Sequence, residues 1–448
     1  MARQPAEMLS HSAVELRARL LTGAISAESL VEACLARIAE AEPRVQAWAW
    51  LDGDAALDQA RALDRWRQAG RPVGPLHGLP VGLKDIIDTK GIPTEWGMAA
   101  QAGRVPGQDA WIVARLKAAG AVILGKTVTT EGAYLHPGKT RNPHNPSHTP
   151  GGSSSGSAAA VAAGMVPLAV GTQTGGSVIR PAAYCGVVGV KPTFGLIPRS
   201  GILTQSPFLD TVGVFARSVE DAALLAGVLA GHDLADPATE PRPDPRLLDI
   251  ASTRVPVAPT FAFLRPPGYD SADPDMRAAM EELAEVLGEQ CFAVPFAGFD
   301  EVAAIRARIN FAEMAKCYFG LEQRSAGTLS PLLQAAMNEG KAVLARDYLA
   351  ALDWRALLNA ALDPIFDRCD AILCPAAPGA APGMDNTGSA IFNGLWTLAG
   401  VPAVTLPAFT SDNGLPMGLQ LVGRRGDDAR LLRTARWLAA HLETLERD

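Results

Sequence analysis

The chain lacks the features that would place it in several large protein classes. No long apolar run is present: the longest small-apolar stretch, Ala158 to Val170, contains Gly164 and Pro167 and falls well short of the roughly 20 residues that span a bilayer. Its opening, MARQPAEMLSHSAVELRARL, has no continuous apolar segment of a secretory signal, so the expected location is cytoplasmic. Cysteines are few and scattered. Cys34, Cys185, Cys291, Cys317, Cys369 and Cys374 form no C-x-x-C pair and no Cys/His cluster at metal-ligand spacing, which predicts reduced, buried thiols and no metal site. There is no long basic run, and Lys+Arg 40 against Asp+Glu 47 give a net charge of -7, which leaves no electrostatic footprint for nucleic acid. Charged residues are only 19% of the chain, while 48% of its 448 residues are hydrophobic, enough to bury a large core and to exclude disorder over most of its length.

The pattern along the chain is that of an α/β protein without internal repeats. Residues 12 to 41 read as two helices broken at Thr22-Gly23, with Ser26 capping the second, and a third helix runs from Ala55 to Gln68. Strands are expected at Pro80 to Lys84 and Ala121 to Gly125, the second preceded by a helical stretch from Asp109 to Ala119. Residues 142 to 193 are rich in Gly, Ser and Pro, yet carry a helix-like run (Ser157 to Gly164) and strand-like runs (Val166 to Val170, Gly186 to Val190). Small residues in that density let backbone approach backbone or substrate. A proline-rich stretch, Asp233 to Pro256, is the linker candidate, either dividing the chain into two halves of one fold or carrying it around the surface. After it come a strand (Thr260 to Leu264), a helix (Asp275 to Leu287) and a long helical region from Glu301 to about Arg368. Strands follow at Ala371 to Cys374, Ala403 to Leu406 and Gly418 to Val422, then a closing helix, Asp428 to Leu442. The expected organisation is one domain over 1–448: N-terminal helices 1–70, a core 75–230, the connection 233–256, a helical cover 275–370 and a C-terminal core segment 371–448.

Three segments set a Lys or Ser among residues that leave the backbone open: Gly82-Leu83-Lys84-Asp85, Gly151-Gly152-Ser153-Ser154-Ser155-Gly156-Ser157 and Gly171-Thr172-Gln173-Thr174-Gly175-Gly176-Ser177. A serine hydroxyl needs a base to become a nucleophile. Lys serves only when neutral, and holding it so at pH 7 costs roughly 5 kcal/mol from its ordinary pKa, so it must be desolvated. The apolar residues around Lys84 suit that requirement, and strand alternation would turn Asp85 to the opposite face. The N–H groups around Ser177 could converge on a developing oxyanion without a Cβ in the way. The residues alone thus allow a Ser/Lys hydrolase, or merely Gly/Ser-rich turns at the crossings of a sheet.

GGSSSGSAAAVAAG (Gly151 to Gly164), GTQTGGSVIRPAAYCGVVGVKPT (Gly171 to Thr193) and PVGLKD (Pro80 to Asp85) together resemble the amidase signature family, as do the flanking GKTVTTEGA, RNPHNP, LDTVG and GLPMGLQLVG. The likeness covers most of the chain and is weakest from about 235 to 370. It implies a three-layer α/β/α fold on a central mixed β-sheet, and a Ser–cis-Ser–Lys triad: Ser177 the nucleophile, Ser153 the bridging serine after a cis peptide, Lys84 the base. Thr174, Gly175, Gly176 and Ser177 would supply oxyanion N–H groups, with no metal and no organic cofactor. It further implies a small-molecule amide or carbamate (urethane) substrate, including aryl amides and amides of small acids, and a homodimer, while the charge balance and the short apolar runs already point away from nucleic-acid and membrane partners. The pocket is expected near Gly132, Ala133, Tyr134, Asn393 and Trp396, with Thr172 a further candidate.

Two departures from the family pattern matter. Gln173 stands where Asp is common, and Arg180 lies three residues after Ser177, where the common pattern has Arg two residues after it. This resembles the malonamidase-type branch, in which Arg180 would grip a substrate carboxylate through its bidentate fork; a structural Arg bound to carbonyls beneath the site is the equal alternative. The departures also weigh against the transamidase component of an amidotransferase, which shares the signature but works with a partner. A non-catalytic binding protein is a further alternative, disfavoured by the intact triad positions. Gly152-Ser153-Ser154-Ser155-Gly156 matches G-x-S-x-G with Ser154 as an α/β-hydrolase nucleophile, but no hydrophobic strand precedes it. His144 and His148, separated by Pro146, read as loop histidines.

Overall fold

Short β-branched runs pair into an eleven-stranded mixed sheet in the computed structural model, which describes residues 3–445 apart from 297 and 326. The strands are β1 (Trp48–Leu51), β2 (Pro80–Lys84), β3 (Val122–Thr127), β4 (Leu168–Gln173), β5 (Val188–Lys191), β6 (Thr211–Ala216), β7 (Phe261–Leu264), β8 (Cys291–Val294), β9 (Ala371–Pro375), β10 (Ala403–Thr410) and β11 (Pro416–Val422). Their order is β1-β3-β2-β4-β6-β5-β10-β11-β9-β7-β8. β2 runs parallel to both β3 and β4, whereas β4 and β6 are antiparallel.

The sheet is buried on both faces over its central strands, and the period of two shows it. In β7, Phe261 and Phe263 enter one apolar cluster while Ala262 and Leu264 enter another. In β9, Ala371 and Leu373 join the first and Ile372 and Cys374 the second. Strands covered on both sides lose the polar alternation of a half-exposed sheet and read as continuous apolar runs. Helices supply both covers, giving the three-layer α/β/α arrangement. The first face takes the helices Ala13–Thr22, Ala27–Val45, Ser155–Ala162, Val219–Leu229 and Asp428–Leu445; the second takes Ile179–Cys185, Val302–Cys317, Trp354–Phe366 and Gly394–Ala399.

Local signals fix several boundaries. Ser26 caps Ala27–Val45 in a reciprocal box with Ser29, and Gly23, left-handed at φ 75°, ends the helix before it. The stretch 233–256 runs along the surface and contains a short helix, Leu247–Ala251. Arg199 fastens it, with backbone and guanidinium hydrogen bonds of 2.8 to 3.0 Å to the Asp236 carboxylate. The helical stretch 301–368 is divided into Val302–Cys317, Phe319–Arg324, Pro331–Lys341, Ala345–Leu352 and Trp354–Phe366. The first and third of these, with Phe319–Arg324 between them, bring Met314, Tyr318, Leu321, Leu333 and Met337 over Met98. Among the described residues no helix is long and apolar enough to cross a membrane.

Candidate active site

The parallel pairing of β2 with β4 carries Lys84 and Thr172 to the same end of the sheet, because Leu83 is opposite Val170 and both strands run out together. Lys84, fully buried, places Nζ 2.7 Å from Ser153 Oγ and donates a 2.9 Å hydrogen bond to Thr172 Oγ1. Burial pushes its pKa down to about 7; the carboxylate of Asp210 works against the shift and the Arg180 guanidinium with it. Asp85 turns the other way. Its carboxylate accepts Glu95 N at 3.1 Å and lies 3.9 Å from Lys126 Nζ, so it does not neutralise Lys84.

The Gly152–Ser153 peptide is cis. The other hydroxyls of this segment are committed elsewhere: Ser155 donates to Gly151 O at 2.7 Å, Ser157 to Val170 O at 3.0 Å, and Ser154 to Thr172 O at 3.2 Å while accepting Thr172 N at 3.3 Å. Ser153 alone of the four is left to meet Lys84. The same tie removes Ser154 as a hydrolase-type nucleophile, since its hydroxyl is buried against β4 rather than raised on an exposed turn. Close approach explains the small residues here: a Cβ on Gly156 would come 2.2 Å from Ala47 O.

Gln173 organises the next segment. Its Oε1 accepts Val178 N (2.9 Å) and Ile179 N (3.0 Å), the first donors of helix Ile179–Cys185, and its Nε2 donates to Thr397 Oγ1, which donates in turn to Gly175 O at 2.8 Å. Thr174 donates to Asp210 at 2.6 Å. The chain from 174 to 177 is thereby held at both ends, and the N–H groups of Gly175, Gly176 and Ser177 have no intramolecular acceptor among the described residues. Ser177 is 8% exposed, and no hydrogen bond joins it directly to Ser153.

Of the two roles weighed for Arg180, its contacts are those of the carbonyl-bound one. It is 2% exposed, and it donates through Nε and Nη2 to Gly152 O (3.2 and 2.6 Å) and through Nη1 to Gly388 O (2.6 Å). The fork that would grip a substrate holds the carbonyl of the cis peptide instead, and burial lowers its pKa to about 10.

The pocket expectations divide. A cavity of about 780 Å³ has Thr172, Thr174, Asp210, Trp96 and Ala133 in its wall; Ser177 does not line it. Ala133 belongs to the turn Glu131–Ala133, which is tied to the site by Thr130 N to Ser153 O at 3.2 Å. Gly132 faces the helical cover, accepting the Tyr318 hydroxyl at 2.8 Å, and Tyr134 packs edge-on against Phe311. Asn393 and Trp396 are fully buried and do not line the cavity. Asn393 donates to Ala376 O at 2.8 Å, and its Oδ1 is left without a partner behind Gly176. Asn393 thus packs behind the nucleophile loop at Gly176, and Trp396 belongs to the apolar cluster on the second face of the sheet. His144 and His148 bond to the carbonyls of Cys185 (2.9 Å) and Ala381 (2.7 Å), so both are structural. Four cysteines are buried and Cys291 and Cys317 half-buried, all unpaired.

Sequence reasoning missed Asp210, which lies in the LDTVG segment, where the signal was present but no role followed from it.

Residues 29–432 match the Amidase family profile. The chain belongs to the amidase signature family. Among curated relatives, it is 36% identical to a glutamyl-tRNA(Gln) amidotransferase subunit of Chloroflexus aurantiacus, over 93% of each chain. Among solved structures, it superposes with a TM-score of 0.90 and 29% identity on a protein from a vestigial complex linked to the evolutionary origin of an s-triazine catabolic enzyme, covering 96% of this chain and 98% of that one. It also matches the peptide amidase of Stenotrophomonas maltophilia at a TM-score of 0.85 and 32% identity, over 96% and 97%. The family establishes an enzyme acting on C–N bonds.

Proposed function

We propose that this amidase signature enzyme cleaves a carbonyl C–N bond through an acyl-enzyme on Ser177. The observation that carries the reading is the fully buried Lys84 beside Ser153 Oγ, with its pKa brought down to about 7. In neutral Lys84 one N–H points to Thr172 Oγ1, which leaves the lone pair free to face the Ser153 hydroxyl. Ser177 Oγ attacks the carbonyl carbon as its proton passes to Ser153 Oγ, and the Ser153 proton passes to Lys84. The free N–H groups of residues 175–177, with that of Thr174, receive the oxyanion; one such donor is commonly worth about 3–4 kcal/mol in the transition state. When the C–N bond breaks, the proton returns through Ser153 to the leaving amine. Water then repeats the cycle on the acyl ester.

Arg180, in this reading, is a positioning residue that fixes the Gly152 carbonyl and with it Ser153. Primary amides, aryl amides and carbamates all present a carbonyl with an amine leaving group, and carbamate (urethane) cleavage is the same chemistry on a different acyl part.

A second reading, the amide-hydrolysing component of an amidotransferase, is favoured by the amidotransferase relatives at 36% identity over 93% of both chains. That likeness weighs more than the Gln173 and Arg180 departures that count against it. The two readings share the triad and differ in whether the chain works alone. Turnover of glutamine, p-nitroanilides and aryl carbamates by the purified chain, beside Ser177→Ala, tests the chemistry: equal rates in both overturn it. Co-purification of a stoichiometric partner that raises turnover selects the amidotransferase reading; full activity of the isolated chain selects the free amidase.

A further inference from the structure

Arg306, on the helix Val302–Cys317, brings its guanidinium against the nucleophile loop. A Cβ built on Gly175 would come 3.3 Å from Nη1, and one on Gly394 would come 2.7 Å from Nε, so the side chain occupies the space that these two glycines leave. It is half-buried, and among the described residues it makes no hydrogen bond and no ion pair. The groups acting on it electrostatically are the Tyr134 phenol and the like-charged Arg180, and burial pushes its pKa below the usual range. No carboxylate among the described residues offsets it.

A guanidinium carries five donors in a planar fork, and taking such a group partly out of water without an acceptor is costly. Arg180, Arg199 and Arg355 are engaged, the first by carbonyls, the second by Asp236 and the third by Leu398 O and Phe208 O. Arg306 is not, and among the described half-buried arginines without a partner, which include Arg308 on the same helix, it is the one that lies against Gly175, two residues before Ser177. Two residues of chain reach at most about 7 Å, so Nη1 lies within roughly 12 Å of the Ser177 Cα.

We infer that Arg306 is the specificity residue that binds a carboxylate of the substrate, a few bonds from the scissile carbonyl. The inference rests on the amide-hydrolysis reading and deepens it: the substrate class is amides that carry a free acid group on a short chain. The acid-binding role expected of Arg180 passes to a residue of the helical cover. A two-point grip, carboxylate on Arg306 and carbonyl in the N–H cluster of residues 175–177, would hold the reacting carbon against Ser177 Oγ.

The test compares succinamate and glutaramate with their methyl esters, in wild type, Arg306→Met and Arg306→Lys. The expected result is a KM for the acids raised about 30- to 100-fold in Arg306→Met, as loss of a charged bidentate contact implies, with the esters changed less than about 3-fold and partial recovery in Arg306→Lys. Equal effects on acids and esters, or none on the acids, would overturn it. Calorimetric binding of glutaramate to Ser177→Ala, with and without Arg306→Met, separates this inference from the catalytic one. Binding that disappears with Arg306 supports the grip even if no turnover is found; binding unchanged by the second substitution, or absent from Ser177→Ala itself, rejects it.

Discussion

Thr174 donates a 2.6 Å hydrogen bond to Asp210, a carboxylate whose other oxygen accepts Gln205 N and Ser206 N at 2.8 and 2.9 Å. This pair joins the N–H cluster to the wall of the cavity, and it sets a charge where Lys84 feels it. Burial raises the Asp210 pKa to about 6, so above that pH its negative charge favours protonated Lys84.

The pH profile follows. Activity requires neutral Lys84, so kcat/KM rises with pH through about 7. Asp210→Asn removes the anion that favours the charged lysine and moves this limb to lower pH, by about half a unit to one unit. A limb that stays in place or moves up in Asp210→Asn would assign the titration to another group.

Stability depends on the same lysine. The folded pKa of about 7 lies below the 10.5 of the free side chain, so between those values the unfolded chain binds the extra proton and stability rises with pH. Lys84→Met removes this penalty, which is largest below pH 7. Thermal unfolding at pH 6 and pH 9 reads it: relative to wild type, Lys84→Met gains about 2 to 3 kcal/mol more at pH 6 than at pH 9. An equal difference at both would show that Lys84 is not depressed in the fold.

Gly176 admits no side chain. A Cβ there would come 2.3 Å from Asn393 Oδ1 and 2.8 Å from the Ala390 Cβ. Gly176→Ala therefore displaces the nucleophile loop and is expected to lower kcat by more than about 100-fold, as loss of an oxyanion donor does. Gly176→Ala combined with Asn393→Ala clears the nearest contact, and recovered activity would trace the loss to that contact.

Arg180→Ala frees the Gly152 carbonyl and unsettles Ser153. The expected outcome is a kcat lowered by the same factor for acid-bearing and neutral amides, in contrast with Arg306→Met. A selective rise in KM for the acids would restore the carboxylate role to Arg180.

Ser154→Ala removes a hydroxyl tied to both backbone groups of Thr172, at a cost of about 1 kcal/mol in stability, and leaves turnover within about 3-fold. Ser177→Ala is expected to abolish turnover by several orders of magnitude. The reverse pattern would move the nucleophile to Ser154.

Local chemistry in the sequence determined a good deal. The run Pro80 to Lys84 was legible as a strand, and Val166 to Val170 as one that in fact begins at Leu168 and continues to Gln173; Ser26 and Gly23 were legible as helix boundaries, and the Gly/Ser segments around Ser153 and Ser177 as a place of close backbone approach, because each depends on residues near one another in the chain. β6, the helix Val219–Leu229 and the helix Gly394–Ala399 were missed: all three are short, apolar and mostly buried, so periodicity carries little signal. Only the tertiary structure decided which polar groups meet. Arg180 and Arg306 are equivalent as letters; one reaches the Gly152 and Gly388 carbonyls and the other, beside Gly175, has no acceptor among the described residues. That difference is set by two helices far apart in the chain packing against one loop, and no local pattern encodes which of two cations the packing will leave unpaired.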